Sequence, residues 1–285
     1  DTDLHTPSTT PIDLGTGRTA VAVSAGYFHT CAILDNGDMK CWGMDSKGQL
    51  GDGGTSHSSS TYTTSPSTTP IDLGTGRTAV ALSTGSYHTC AILDNGDLKC
   101  WGSDNVGQLG DGGTAHNSGT MVTQPSSTPV NLGTGRTAVA VSASNQHTCA
   151  ILDNGDLKCW GSDGYGKLGT PGPASGLMAP SSTPIDLGTT RTAVAVSAGF
   201  DHTCAILDND DMKCWGRDNQ GQLGDGGTKT DQPVPVLVSG SNTWDSSTGL
   251  SSPITNVTGA TCTVSPALPT GLSIDSSTCT ISGTP

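Results

Sequence analysis

Ten cysteines are the residues of this sequence whose spacing most directly predicts chemistry. Zinc-binding cysteine pairs usually sit about two to four residues apart. Here four pairs are ten residues apart and a fifth is seventeen apart, so disulfides are favoured over a metal site or free buried thiols. The predicted pairs are Cys31 and Cys41, Cys90 and Cys100, Cys149 and Cys159, Cys204 and Cys214, and Cys262 and Cys279. Because disulfides persist in oxidising compartments, they predict an extracellular or cell-surface location.

The first four pairs lie in a repeated stretch near residues 29–43, 88–102, 147–161 and 202–216, which begins as HTCAILDNGDMKCWG. Its Asp-Asn-Gly turn signal predicts a β-hairpin. A three-residue loop at 35–37 places Cys31 opposite Cys41, whereas a two-residue loop would point them to opposite faces. We favour the first register, because directly opposed cysteines can form a disulfide. Asp210 replaces the turn glycine in the fourth copy, and Asp tolerates the left-handed conformation.

The composition predicts a turn-rich, all-β protein. The 285 residues include 40 Gly and 16 Pro, and all 25 acidic residues are Asp, so the helix former Glu is missing. The formal net charge of −13 argues against nucleic acid and against anionic membranes as partners. No apolar run approaches the roughly 20 residues that span a bilayer, so no membrane insertion is expected.

Two further segments recur before each hairpin. The block TPIDLGTGRTAVAVSAG begins at Thr10 and returns, with small changes, at Thr69, Thr128 and Thr183. Its Pro-Ile-Asp-Leu part predicts an edge strand, and its apolar Ala-Val part predicts a strand covered on both faces. The histidine-to-histidine period of 59, 59 and then 55 residues is typical of propeller blades.

The order His-Thr, Cys-Trp-Gly and Gly-Gln-Leu-Gly in GYFHTCAILDNGDMKCWGMDSKGQLGDG resembles the regulator-of-chromosome-condensation repeat family. The resemblance covers about residues 10–237. Members of this family build β-propellers, most often of seven blades. The resemblance therefore implies four propeller repeats within residues 1–238. Because the chain is acidic and its cysteines are paired, we expect it to resemble the secreted members of the family that bind proteins.

The segment 239–285 has a different character. SPALPTGLSID followed by TISGTP is similar to immunoglobulin-like domains of prokaryotic surface proteins. The resemblance implies part of an immunoglobulin-like β-sandwich, in which Cys262 and Cys279 are expected to join two strands. Asn256 lies in a glycosylation sequon, and Trp244 is a candidate linker or interface residue.

The sequence has one more Pro-led strand than it has hairpins. If each blade takes the Pro-led strand that follows its hairpin, the strand with Pro11, Ile12 and Leu14 is spare. An open blade at one end and a partial sandwich at the other suggest that copies join head to tail by strand exchange, as in donor-strand complementation. The predicted function is a non-enzymatic extracellular structural protein. The alternative is a propeller that binds an extracellular protein or glycan, as an adhesin or inhibitor does.

Other repeated side chains have structural as well as functional interpretations. One histidine per repeat is expected to be a buried, hydrogen-bonded imidazole rather than part of a metal ring: His29, His88, His147 and His202. One tryptophan per repeat is expected to pack between blades rather than stack on sugars: Trp42, Trp101, Trp160 and Trp215. No serine elbow, carboxylate pair or phosphate loop predicts an enzyme.

The loop aspartates are the residues best suited to a ligand. Gly-rich loops with paired carboxylates offer oxygens to calcium, although the alternating D-x-D-x-D spacing is missing and turn formation explains Asp equally well. The calcium candidates are Asp45, Asp52, Asp104, Asp111, Asp218 and Asp225. No other cofactor is expected.

Overall fold

The computed structural model describes residues 9–54, 62–113, 121–170, 176–227 and 229–239, with the backbone of two strands at 272–275 and 280–283. These residues confirm the predicted all-β fold, and a single 3-10 turn at Gly164–Gly166 is the helical element among them. Within the described ranges, no helix has the length and apolar character needed to cross a membrane. Cys262, Cys279, Asn256 and Trp244 lie outside the described residues.

Four antiparallel sheets, here called blades 1 to 4, follow one another along the chain. Blade 1 contains β1 (Ala20–Ala25), β2 (His29–Leu34), β3 (Met39–Met44) and β4 (Tyr62–Thr63). Blade 2 contains β5 (Ala79–Thr84), β6 (His88–Leu93), β7 (Leu98–Ser103) and β8 (Met121–Val122). Blade 3 contains β9 (Ala138–Ala143), β10 (His147–Leu152) and β11 (Leu157–Gly161). Blade 4 contains β12 (Ala193–Ala198), β13 (His202–Leu207), β14 (Met212–Gly216) and β15 (Gln232–Leu237).

A separate two-stranded antiparallel ladder follows, made of β16 (Leu272–Asp275) and β17 (Thr280–Gly283). This ladder is the described part of the segment that resembles an immunoglobulin-like domain. The division of the chain between residues 238 and 239 stays a prediction.

The hairpin register is the one that the cysteines predict. In blade 1 the N–H of Leu34 donates to the carbonyl of Asp38 (2.8 Å), and Gly37 closes the turn with a φ of 80°. Cys31 then lies directly opposite Cys41, and the same pairing recurs in the other three blades. Asp210 takes the left-handed conformation in blade 4, with a φ of 64°. The local turn therefore sets the register of every blade.

Disulfides join the opposed cysteines of all four hairpins: Cys31–Cys41, Cys90–Cys100, Cys149–Cys159 and Cys204–Cys214. The disulfides of blades 1 to 3 lie in the core, where they pack against aliphatic side chains of the next blade. Because each bond closes a short loop in the unfolded chain, its expected contribution to the free energy of unfolding is about 3 kcal/mol.

The hydrophobic core lies between consecutive blades. The first strand of each blade contacts the first strand of the next, in the order β1, β5, β9 and β12. Between blades 1 and 2, Ile33 and Met39 pack against Leu93 and Trp101. Equivalent clusters fill the spaces between blades 2 and 3 and between blades 3 and 4. Blades 2 and 3 thus bury side chains against a neighbour on each side. The Ala-Val strands are not covered on both faces as predicted, because Val80 and Val139 remain 60% and 59% exposed.

The Pro-led segments differ from the prediction, because those after blades 1, 2 and 3 are not strands. Each makes one backbone bond to the preceding hairpin, as when the Ile71 N–H donates to the Met39 carbonyl (2.9 Å). Proline supplies no donor, and the Asp72 side chain turns the chain by accepting from the Gly74 N–H (2.8 Å). The fourth-strand position is occupied instead by β4 in blade 1, by β8 in blade 2, and in blade 3 by a bridge between Gly161 and Leu177.

The segment at residues 11–14, predicted as a spare strand, is likewise not a strand. Ile71 and Ile185 are 8% and 5% exposed because each lies against the preceding blade, whereas Ile12 is 58% exposed. No blade precedes blade 1 within the described residues. The Pro233 segment, in contrast, forms the edge strand β15 of blade 4 as predicted.

Candidate functional site

A network of hydrogen bonds that includes the hairpin histidine joins each blade to the next. His29 Nε2 lies 2.8 Å from Thr89 Oγ1 of the next blade, and the Thr89 hydroxyl donates to the Gln49 carbonyl (2.8 Å). The indole N–H of Trp101 donates to the same carbonyl (3.1 Å). Because the threonine hydroxyl gives its one proton to the carbonyl, it must accept from a protonated Nε2 of His29.

The network recurs at the other two junctions with nearly the same distances. His88 meets Thr148 at 2.9 Å and His147 meets Thr203 at 2.9 Å. The carbonyls of Gln108 and Lys167 each accept from a threonine hydroxyl and a tryptophan indole. Trp101, Trp160 and Trp215 therefore pack at blade junctions, as predicted, and His29, His88 and His147 each bind the next blade.

Burial keeps these imidazoles neutral. Desolvation lowers the pKa of His29 to about 4, and desolvation together with the nearby His29 lowers the pKa of His88 to about 3. The pKa of His147 is also well below its ordinary value, first through burial and then through the charge of Lys167. Burial lowers the pKa of His202 as well, against the opposing effect of Asp201 and Asp218. His29, His88 and His147 therefore act as hydrogen-bond donors to the next blade.

The loop aspartates bind backbone amides. Asp45 Oδ1 accepts from the Leu50 N–H (3.0 Å), and Asp104, Asp163 and Asp218 do the same five residues ahead. The other calcium candidates accept from the glycine two residues ahead: Asp52, Asp111 and Asp225. Among the described residues no three His, Cys or Asp side chains come together as a metal site. Turn formation accounts for these aspartates.

In the described part of the chain, blade 4 carries the side chains of one half of a blade junction, and no other blade packs against them. Ile206 is 41% exposed, whereas its equivalents Ile33, Ile92 and Ile151 are each 2% exposed. Met212 is exposed although its equivalents in the other blades are fully buried, and His202 is half-buried. We call this surface the blade 4 face and define it by Ser197, His202, Ile206 and Met212.

Blade 1 presents the complementary half. Trp42 and Thr30 are half-buried, whereas the corresponding tryptophans and threonines of blades 2 to 4 are fully buried. Ala20 and Ala25 are exposed, although Ala79 and Ala143 at the equivalent positions are buried. We call this surface the blade 1 face and define it by Ala20, Ala25, Thr30 and Trp42.

A third surface lies at the turns between the first and second strands of the blades. These turns carry four of the six Phe and Tyr residues in the chain: Tyr27, Phe28, Tyr87 and Phe200. Tyr27 is 69% and Phe200 60% exposed, and Phe28 contacts both tyrosine rings at centroid distances of 4.4 and 5.4 Å. The turns surround an open hollow of about 290 Å³. We call this surface the aromatic turn face.

The sequence patterns did not predict that Thr89 and Gln49 take part in a blade junction. The signal was present, because threonine follows each histidine and Gln or Lys precedes each Leu-Gly. Their partners lie about 40 to 60 residues away, so only the packing of blades reveals their role.

Four consecutive antiparallel blades, with cores between them and a repeated junction network, define a β-propeller arrangement. Two sequence profiles described as "Regulator of chromosome condensation (RCC1) repeat" match the chain, one at residues 36–92, 95–151 and 154–206 and the other at 20–49, 79–108, 138–167 and 193–222. The chain belongs to this RCC1 repeat family. A profile described as "Putative Ig domain" matches residues 221–285.

Curated relatives include the ultraviolet-B receptor UVR8 of Arabidopsis thaliana, 26% identical over 83% of this chain and 61% of that protein. Protein pim1 of Schizosaccharomyces pombe is 26% identical over 76% of this chain and 40% of its own length. The E3 ubiquitin-protein ligase HERC2 of Homo sapiens is 27% identical over 77% of this chain and 4% of its own length. The chain therefore spans less than two thirds of these relatives.

Solved structures show the same fold. Yeast RCC1 (Prp20), solved bound to Kap60, matches with a TM-score of 0.66 and 21% identity over 80% of this chain and 50% of that chain. A second structure of Prp20p, from Saccharomyces cerevisiae, matches with a TM-score of 0.65 over 52% of its chain. The four blades thus match about half of the yeast protein.

Proposed function

We propose that this chain is a non-enzymatic extracellular surface protein whose blades bind protein, and that other copies of the chain, joined head to tail, are its first partner. The observation that carries the proposal is the pair of complementary half-junctions. The blade 4 face supplies a histidine and apolar side chains, and the blade 1 face supplies the threonine and tryptophan that complete a junction elsewhere in the molecule. Yeast RCC1, which has the same fold, has been solved in a complex with Kap60, and this supports a protein-binding role.

Four disulfides support the extracellular location, because such bonds persist in oxidising compartments. The hydrogen bonds of the side chains best suited to catalysis support a non-enzymatic role. The junction histidines of blades 1 to 3 are committed to threonine hydroxyls, and the loop aspartates accept from backbone amides. Structural hydrogen bonds therefore account for both sets of side chains.

Docking of blade faces fits the structure better than strand exchange. The spare segment with Pro11, Ile12 and Leu14 would be expected to pair at the edge of blade 4. That edge is occupied by β15, and the Val238 N–H donates to the Met212 carbonyl (3.0 Å), the position that Ile71 uses in blade 1. A second copy can therefore meet the blade 4 face while β15 stays in place.

Light scattering of the purified chain under non-reducing conditions tests this proposal. We expect particles of at least twice the 28.6 kDa chain mass, and we expect Ile206→Asp to return them to single chains by placing a charge in the junction. Val194→Asp is the matched control, because Val194 lies in the same blade and its equivalents Val80 and Val139 are exposed at the internal junctions too. A parent protein that stays monomeric at high concentration would count decisively against self-assembly.

The aromatic turn face supports a second candidate function, the binding of a distinct extracellular protein or glycan. The turn residues differ between repeats (Tyr-Phe, Ser-Tyr, Asn-Gln and Phe-Asp), although the hairpins beside them are nearly identical. Repeat proteins commonly bind through the positions at which their repeats differ, and exposed aromatic side chains are enriched in binding sites.

Screening the labelled chain against a peptide display library and a glycan array tests the second candidate. Ligands selected by the parent are expected to lose at least about tenfold in affinity for a Tyr27→Ser, Phe200→Ser double variant, because each ring offers a large apolar contact. Tyr62→Ser is the control, since Tyr62 is equally exposed but lies on β4. Equal binding to the double variant would exclude this face as the site.

A further inference from the structure

The three internal junctions share a contact between the innermost strands. The Thr84 N–H donates to Ser24 Oγ (3.0 Å), and the Thr84 hydroxyl makes a second contact with the same oxygen at 2.8 Å. The Ala143 N–H donates to Ser83 Oγ and the Ala198 N–H to Ser142 Oγ, each at 2.9 Å. One serine on the earlier blade thus meets one position at the end of the inner strand on the later blade.

The two open faces carry the unmatched members of this series. Ser197 of blade 4 corresponds to Ser24, Ser83 and Ser142, and it is exposed. Ala25 of blade 1 corresponds to Thr84, Ala143 and Ala198, and it is exposed too. His202 is likewise equivalent to the junction histidines. Thr30 and Trp42 are equivalent to the threonines and tryptophans of the junction network.

We infer that a second copy of this chain docks in the same register as an internal junction, with Ser197 of one copy against Ala25 of the next and His202 against Thr30. The inference rests on the proposed head-to-tail association and assigns its contacts. The Trp42 indole then donates to the carbonyl of Gln222, the residue equivalent to Gln49, Gln108 and Lys167. Ile206 and Met212 are covered by Trp42 and the apolar side chains beside it, as Ile33 and Met39 are covered at the first internal junction.

The chemistry of the two faces favours a second copy over an unrelated partner. The residues that define the faces carry no formal charge, although the chain has a net charge of −13. The carboxylates that act on His202 are those of Asp201, which is paired with Lys167 and Arg217, and of Asp218, which accepts from the Leu223 N–H. A junction between acidic copies therefore brings no further carboxylate into its centre, in keeping with the depletion of charge at interface cores. The histidine, serine, threonine and tryptophan needed to complete it are already present in one sequence and in matching positions.

Engineered cysteines test this register. Two single variants of the full chain, Ala25→Cys and Ser197→Cys, are mixed and oxidised in air, and the products are measured by non-reducing mass spectrometry. We expect a disulfide between the two different variants and at least about tenfold less of either symmetric dimer. The intramolecular control is Ser24→Cys with Thr84→Cys, whose side chains already meet, and it should lose both added thiols within one chain.

The outcomes separate the register from the proposed function. If the control closes and the mixed disulfide does not form, the register is wrong. Parent particles larger than one chain would then leave head-to-tail association standing, whereas single chains would overturn both. Symmetric dimers as the main products would also overturn the register, because they require like faces to meet. A variant lacking residues 1–12 should form the mixed disulfide as the full chain does, and its failure would favour strand exchange over face docking.

Discussion

Replacing Trp160 by alanine is expected to lower the free energy of unfolding by about 3 to 5 kcal/mol, which is the usual cost of truncating a buried aromatic side chain. Trp160 is fully buried between blades 2 and 3. Its indole N–H donates to the Gln108 carbonyl (3.1 Å), which also accepts from the Thr148 hydroxyl. Urea denaturation monitored by circular dichroism measures the change, with the disulfides kept intact.

The matched control is Trp42→Ala, because Trp42 has the same place in its hairpin but is only half-buried. No blade in the described residues covers it, so we expect a loss of about 1 kcal/mol in dilute single chains. Equal losses at Trp42 and Trp160 in dilute single chains would contradict the assignment of the tryptophan to the junction. In assembled particles, Trp42→Ala should instead raise the concentration at which copies associate.

Acidification is expected to destabilise the propeller before its aspartates protonate. Burial lowers the folded-state pKa of His29 to about 4 and that of His88 to about 3, both below the ordinary value of 6.5. Between these values and 6.5 the unfolded chain binds more protons than the folded chain. The stability is therefore complete above about pH 6.5 and is lost as the pH falls. Between pH 7 and pH 5 each histidine should cost about 2 kcal/mol.

Denaturation at a series of pH values tests this dependence. His88→Gln removes one titrating group, so its stability should fall by about 2 kcal/mol less than that of the parent between pH 7 and pH 5. His202→Gln is the control, because His202 is only half-buried, and a smaller change is expected. A stability that is flat from pH 7 to pH 5 would show that the junction histidines titrate normally.

Local sequence determined the hairpins completely. A three-residue turn with a glycine or Asp210 in the left-handed conformation fixes which residues oppose each other over the next few positions. That register brings together the four cysteine pairs. Because alternation and turn geometry act over about ten residues, no tertiary information was needed for this part of the fold. The repeat of the pattern then identified the blades.

Tertiary packing decided what lies between the blades. The sequence placed a histidine and a tryptophan in every hairpin. Their hydrogen-bond partners lie far away along the chain, because His29 donates to Thr89 and Trp101 donates to the Gln49 carbonyl. Packing also gave the fourth-strand positions to residues such as Tyr62–Thr63, because Asp72 turns the Pro-led segment away from the ladder. Packing between blades also determines which faces of blades 1 and 4 are open. A nearly identical hairpin is buried or exposed according to whether another blade lies against it.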